Sequence, residues 1–524
     1  HVNNSHFAGL YLGSGTLTSN ISGRDEGAGR LYITGNVIND AVISVSNVWL
    51  DTENATLTTN ADNLQSIVER FATGSSLNLT GGTVTNTING KTNITGDVIL
   101  GEGAYAGGQW SIAEGASLTG NADSVQWSNG MANSGTINLT GGTFGYNHSV
   151  HGGTINILGD TSVFSSLSTD KLTVAENVKL TIQPYMLASS TIINDGIIRF
   201  SSGNLFSSDD NPVTGSGYIE IASTGVTFDD GVLVQQEVKV LEGATLTARM
   251  ANAFGDDVTV DKGGTLYLND NGSGLSTLSQ TVSGGGKVSF GGSNITISDT
   301  GYVDVDEGID VTGRLTTNAE KIASDVNVTG TINLTGGTID GYSISGTGNT
   351  RIDADCDVIS NEIIASTNLQ VYDRASLTID ADNIDSTTVT LYTGANLILG
   401  DGTVDYDING GASDRKVSIA GNVKTTDRRI NPAVEILEGG VLTSDIDLLR
   451  NNVTNNGDLY LTGNLGKKIA GTGTTHITGT GLAFSSQNAS IDGTLDLNNG
   501  NFSTAADNAI KTYNVNKLTG EGDF

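Results

Sequence analysis

L-T-T-N-A-D at residues 57–62 and L-N-L-T-G-G-T at residues 77–83 form a phrase that the chain uses again. It returns as L-T-G-N-A-D (118–123) with I-N-L-T-G-G-T (137–143), and as L-T-T-N-A-E (315–320) with I-N-L-T-G-G-T (332–338). A looser copy runs from L-T-I-D-A-D (377–382) to L-I-L-G-D-G-T (397–403). Within each copy the two Leu or Ile positions lie roughly twenty residues apart, a period typical of solenoid coils. The starts at Leu57 and Leu118, and at Leu315 and Leu377, are roughly three such lengths apart, as if three coils made a larger unit.

Working outward, the same texture covers most of the chain. R-L-Y-I-T-G-N-V-I (30–38) and A-V-I-S-V-S-N-V-W-L-D (41–51) alternate apolar and polar residues between Gly, Asn or Asp, the pattern of short strands with one face buried. The fold these features predict is all-β: a right-handed parallel β-helix of about 20 residues per coil and roughly two dozen coils, with short helical or loop excursions. Residues 1–29 read as an N-terminal cap or first coil, 30–497 as the parallel β-helix, and 498–524 as a C-terminal coil or truncated end. Residues 61–72, A-D-N-L-Q-S-I-V-E-R-F-A, depart from alternation. Leu64, Ile67, Val68 and Phe71 fall at helical spacing with Asn60 or Asp62 as cap, so a short amphipathic helix is expected there. Residues 201–216 and 427–432 are the best loop excursions.

Two further phrases mark corners. V-K-V-L-E-G-A-T-L-T (238–247) is matched by V-E-I-L-E-G-G-V-L-T (434–443), a polar pair and a glycine between two alternating runs. N-x-G precedes a strand in N-S-G-T-I-N-L-T-G (133–141), N-D-G-I-I-R-F (194–200) and N-N-G-D-L-Y-L-T-G (455–463).

Composition narrows the function classes. Glycine is abundant at 71 residues, yet 36% of residues are hydrophobic and recur in short runs, which favours strands over disorder. The formal charge is −32, spread along the chain without a basic stretch, which argues against nucleic-acid binding and against anionic lipid surfaces. Cys356 is the single cysteine, so no intramolecular disulfide framework exists. No run approaches the roughly 18 apolar residues of a membrane helix, and no membrane insertion by this segment is expected. The chain begins at His1 without a charged-plus-apolar leader, which reads as a processed or excised segment.

The N-x-G phrases, together with A-N-A-F-G-D-D-V-T-V-D-K-G-G-T-L-Y-L (251–268), resemble passenger segments of bacterial autotransporters over most of residues 30–497. That resemblance implies a right-handed parallel β-helix displayed at a bacterial cell surface or released outside it, in a family of adhesins, aggregation factors and, less often, hydrolases. The tail, 508–524, lacks a series of roughly ten-residue lipid-facing strands. Either a membrane barrel has been cut away or the surface is reached by another route.

A search for chemistry finds no strong signal. Sequential carboxylates occur at Asp209–Asp210, Asp229–Asp230 and Asp256–Asp257, but neighbours on a strand point to opposite faces and make no glycosidase dyad by themselves. His148 and His151 sit among Gly-rich turns, and His1, His6 and His476 stand alone in the sequence. Cys356, in D-A-D-C-D-V, reads as an inward structural residue. The acids Asp353, Asp355 and Asp357 form a solvated turn more readily than a calcium loop. The N-x-T triplets at Asn78, Asn138 and Asn333 are assigned to coil geometry rather than to glycans.

No catalytic, cofactor-binding or metal residue is therefore named, and no cofactor is expected. The sequence points to a non-enzymatic bacterial surface or secreted protein. Adhesion or cell–cell aggregation would use its lateral face and loops against a host, neighbouring-cell or matrix component, protein or glycan. The alternatives are a self-associating structural subunit of a filament, sheath or layer, and a polysaccharide-acting β-helix lyase or hydrolase.

Overall fold

A computed structural model describes residues 2–4, 9–23, 29–127, 131–145, 149–205, 213–270, 272, 276–359, 361–486, 488–497, 502–504 and 514–519. Its contacts divide the chain into two units, His1–Gly264 and Thr265–Phe524, and each is a stack of parallel strands. Together they make about 24 turns of ~19 residues, with almost no helix among the described residues, the all-β solenoid that the repeats predict.

Most strands are three or four residues long, and each pairs in parallel with the strand one turn later. In the first unit, Leu57 of Thr56–Thr59 pairs with Leu77 of Ser76–Leu79. A seven-stranded sheet runs from Leu10–Leu12 to Val125–Trp127, and a nine-stranded one from Gly15–Leu17 to Leu167–Ser168. In the second unit a sixteen-stranded sheet begins at Gly337–Ile339.

Alternation places one side chain from each coil at each level of the interior. In the first unit Val98, Leu118, Ile137, Ile155, Leu172, Ile192 and Val213 stack in register and are all buried. In the second, Ile295, Leu315, Ile332, Thr350, Leu369, Val389 and Ile408 do the same. Each buried Leu or Ile contributes about 1.5–3 kcal/mol, and parallel strands of this kind need both their neighbours to cover them.

The recurrent phrase encodes a corner that locks one coil to the next. Asn60 accepts the Asp62 N–H at 2.9 Å and opens the three-residue 3₁₀ turn Ala61–Asn63. Ala61 N–H then donates to the Gly81 carbonyl at 2.7 Å, and Asp62 Oδ1 accepts the Thr83 N–H at 2.8 Å. Asn121, Ala122 and Asp123 repeat all three bonds, the last from Thr143 at 2.8 Å. Gly82 and Gly142 lie at φ +85° and +92°, and a Cβ there would stand 2.1–2.2 Å from the Asn60 or Asn121 side chain. This is why the phrase ends in G-G-T. In the copy at 318–320 the asparagine cap and the Ala319–Gly336 bond persist. In the copy at 380–382 the Asp382 bond to Thr403 N–H persists at 2.7 Å, without a side-chain cap from Asp380. These last two corners gain a buried tyrosine: Tyr342 donates to the Ala319 carbonyl at 2.9 Å and Tyr406 to that of Ala381 at 3.4 Å.

The other phrases resolve as readily. L-E-G is a tight turn in which Ala244 N–H donates to the Leu241 carbonyl at 3.0 Å and Gly440 N–H to that of Leu437 at 2.9 Å. The N-x-G asparagines point inward. Asn133 accepts from Gly135 N–H and donates to the Gly152 carbonyl, while Asn455 accepts from Gly457 N–H and donates to the Thr474 carbonyl.

The amphipathic helix expected over 61–72 does not form. After the 3₁₀ turn Ala61–Asn63 the chain enters the strand Ile67–Phe71, paired with Asn47–Leu50 before it and with Thr87–Asn89 after it. A helix here would strip both neighbours of backbone partners. Leu64 and Val68 do face the interior, but Ile67 is partly exposed, with Glu69 and Arg70. The 427–432 segment likewise returns to the coil at Ile430, which is buried and bridges Ile408 and Leu449. Of the 201–216 excursion, residues 206–212 lie outside the described residues, as do the chain end at 520–524 and most of 498–524.

Candidate functional site

Because successive coils are in register, outward side chains form columns. Asn78 donates to Thr58 Oγ1 at 3.2 Å, Asn93 to Asn78 Oδ1 at 2.8 Å and Ser111 to Asn93 Oδ1 at 2.7 Å. Asn138, Asn156 and Thr173 continue the pattern from Thr119 at 3.0, 2.8 and 2.6 Å. The second unit repeats it in the pairs Asn349–Asn368 and Asn409–Asn431. The carboxamides of Asn78 and Asn138 are thus engaged on both sides, and Asn333 is buried, so these N-x-T triplets serve the ladder.

In the first unit an aromatic column stands on a sheet apart from the polar ones. Tyr11, Tyr32, Trp49 and Arg70 occupy one register position on four coils. The tyrosines stack at 4.4 Å between centroids and Tyr32 meets Trp49 edge-on at 5.3 Å. The Arg30 and Arg70 guanidiniums lie 4.4 and 4.8 Å from the Trp49 ring, and Arg70 also pairs with Asp51 at 3.3 Å. Tyr11 is 64% exposed. In the second unit Arg351 lies 3.5 Å over Tyr372, which stacks on Tyr392 at 4.1 Å. A side-chain hydrogen bond with Tyr372, then burial, raises the Tyr392 phenol above its usual range.

A third column carries charge. His476 stacks on Tyr460 at 4.4 Å, and its ring nitrogens face two carboxylates, Asp458 at 3.1 Å and Asp496 at 3.0 Å. The histidine that stands alone in the sequence is therefore bracketed in space by acids 18 and 20 residues away.

No protein-family model, no curated protein and no solved structure matches this chain.

The residues weighed from sequence do not converge. Asp209–Asp210, His1, His6 and His148 lie outside the described residues. Asp229 pairs with Arg249 at 3.0 Å while Asp230 points to solvent. Asp256 is exposed and accepts the Asp257 N–H. His151 is exposed on the two-residue strand Val150–His151. In D-A-D-C-D, Asp353 pairs with Arg351, Asp355 accepts the Ser376 N–H at 2.9 Å, and Asp357 is exposed. Cys356 faces the interior, where burial and then the Asp357 charge push its thiol up to about 12, far from the thiolate a nucleophile needs. Among the described residues no group of three or more His, Cys, Asp or Glu is placed to hold a metal.

Proposed function

We propose that this chain is a bacterial surface or secreted β-helix of the autotransporter-passenger kind, a non-enzymatic adhesive body that engages host, neighbouring-cell or matrix components through its lateral faces. The observation that carries the reading is the repetition of one outward group at one register position on successive coils, as in Tyr11–Tyr32–Trp49 and Asn78–Asn93–Ser111. Equivalent groups at coil spacing present a repeating ligand with many weak contacts at once, so that affinity grows through multivalency. Aromatic rings with guanidiniums on their faces supply apolar area and directed polar contact together. The dispersed acidic charge keeps such a body soluble and limits non-specific adsorption to other anionic surfaces.

The test is a bead-adhesion assay. Beads carrying the full chain are expected to be retained on cell and matrix surfaces under flow, and a Tyr32→Ala, Trp49→Ala double variant to lose several-fold of that retention. Retention equal to that of bare beads on every surface sinks the adhesive reading. Filaments growing with protein concentration in light scattering would instead put the structural-subunit alternative first.

A further inference from the structure

The second unit carries an open cleft of ≈ 370 Å³ that the columns do not use. Its wall includes Asp447, Leu449, Arg450, Asn464, Lys467 and Ser485. The 3₁₀ turn Ile446–Leu448 supplies one side, the end of the strand Asp458–Leu465 and its following corner another, and Ser485 follows the strand Thr474–Phe484. Lys467 is held in place by its own donors: Nζ bonds the Leu449 carbonyl and, at 2.9 Å, that of Asn451.

What singles the cleft out is its charge. In a chain of net charge −32, an exposed Arg450 and a half-buried Lys467 share one open cleft, and no carboxylate among the described residues forms a salt bridge with either. Burial, followed by the neighbouring Arg450 charge, lowers the Lys467 ammonium to about 8, with Asp447 pulling weakly the other way. One coil earlier, Arg428 and Arg429 precede Ile430, whose carbonyl accepts the Arg450 N–H at 2.9 Å. Arg428 has only a 3.7 Å contact to Asp427. Two cations crowded together against their own repulsion are complemented by an anion.

The rest of the lining narrows the anion. Asn464 and Ser485 offer neutral polar groups, and Asp447 is an acceptor that repels a second negative charge but suits hydroxyl donors. None of the lining residues is aromatic, so the cleft has no platform for stacking a base. We propose that this cleft binds a uronic acid residue of an acidic polysaccharide, its carboxylate on Arg450 and Lys467 and its ring hydroxyls on Asp447, Asn464 and Ser485. The guanidinium gives the carboxylate a planar, two-pronged partner, and the ammonium a point charge. The proposal gives the adhesive reading a ligand class and rests on it for the polymer's biological source; the chemistry of the cleft stands apart from the aromatic columns.

Isothermal titration of the full chain with a linear oligogalacturonate, with a neutral dextran oligosaccharide and with an oligothymidylate tests it. Binding is expected for the oligogalacturonate alone, weakened about tenfold or more by Arg450→Gln, a loss of about 1.4 kcal/mol. Because a bound carboxylate favours the ammonium, complex formation at pH 8.5 is expected to take up protons, read as a dependence of the heat on the buffer's ionisation enthalpy. Affinity should fall as pH rises past about 8. Arg450 and Asp447 are the other charged groups facing Lys467. Lys467→Gln is expected to abolish the proton uptake. Should that variant disturb the corner, Arg450→Gln leaves the Lys467 anchors intact and decides the matter. No heat with oligogalacturonate from a folded protein, binding indifferent to Arg450→Gln, or oligothymidylate binding as tightly, each overturns the proposal. Adhesion lost in the Tyr32, Trp49 double variant with uronate binding intact, or the reverse, separates its failure from that of the adhesive reading.

Discussion

Asp270 shows what a single buried acid can hold in this fold. Its carboxylate is buried and accepts the Gly272 N–H at 3.0 Å, the Ser293 N–H and hydroxyl at 2.9 Å each, and the Asn294 N–H at 2.8 Å. Burial works to raise the acid, but the backbone and hydroxyl donors outweigh it and hold the group below the usual carboxylate range. A depressed folded-state value means that the stabilisation is present above the unfolded value, about 3.9, and is lost as pH falls through the folded one. Asp270→Asn is therefore expected to lower stability at pH 7 by about 2–4 kcal/mol, with the gap from wild type closing below about pH 4. Urea unfolding at both pH values measures it, and an equal gap at pH 3 would refute the ionic account. At this scale the sequence hides most of what matters. Nothing near His476 in the chain announces Asp458 and Asp496, because contact here follows the coil period and not the neighbouring residue. Stepping along the chain by one coil length is the signal that finds them.

The corner is the element in which the sequence speaks most plainly. L-T-x-N-A-D and L-T-G-G-T recur because an amide, a carboxylate and two glycines must meet across one coil step. Removing the carboxylate alone tests this: Asp123→Ala frees the Thr143 N–H and is expected to cost about 1 kcal/mol, as for a helix cap. Glu320→Ala, where the structure shows no such bond, should cost less. Thermal unfolding of the two variants side by side checks the difference. The same element explains why residues 61–72 carry a helical period and yet form a turn and a strand. Leu64 and Val68 satisfy a helical period and also the inward positions of a 3₁₀ turn and the strand after it. Periodicity over a dozen residues cannot separate these when the deciding partners, Val48 and Ile88, lie in other coils. Inward and outward positions elsewhere were legible because alternation is local; which outward residues meet was not, because coil lengths vary. Asn78 meets Asn93 after 15 residues, but Thr58 meets Asn78 after 20.

For the whole molecule, stability is a sum over coils and the interfaces between them, not the property of one central core. Ile137→Ala leaves a gap between Leu118 and Ile155 and should cost about 2–5 kcal/mol. Hydrogen exchange is expected to report that loss in Ser117–Gly120, Thr136–Leu139 and Thr154–Ile157, with the second unit unchanged. Uniform loss of protection along both units would contradict a nearest-neighbour solenoid. The coil register also has a genetic consequence. Leu57 and Leu77 occupy one register position on successive coils, so a deletion of residues 57–76 brings Leu77 to the place of Leu57 and restores every inward and outward assignment beyond it. Loss of a single codon inside a strand instead turns the rest of that strand over, apolar face to water. Length in this chain is therefore quantised: replication slippage that copies or drops a whole coil yields a foldable product, and genes of this design can lengthen or shorten by steps without passing through a broken intermediate.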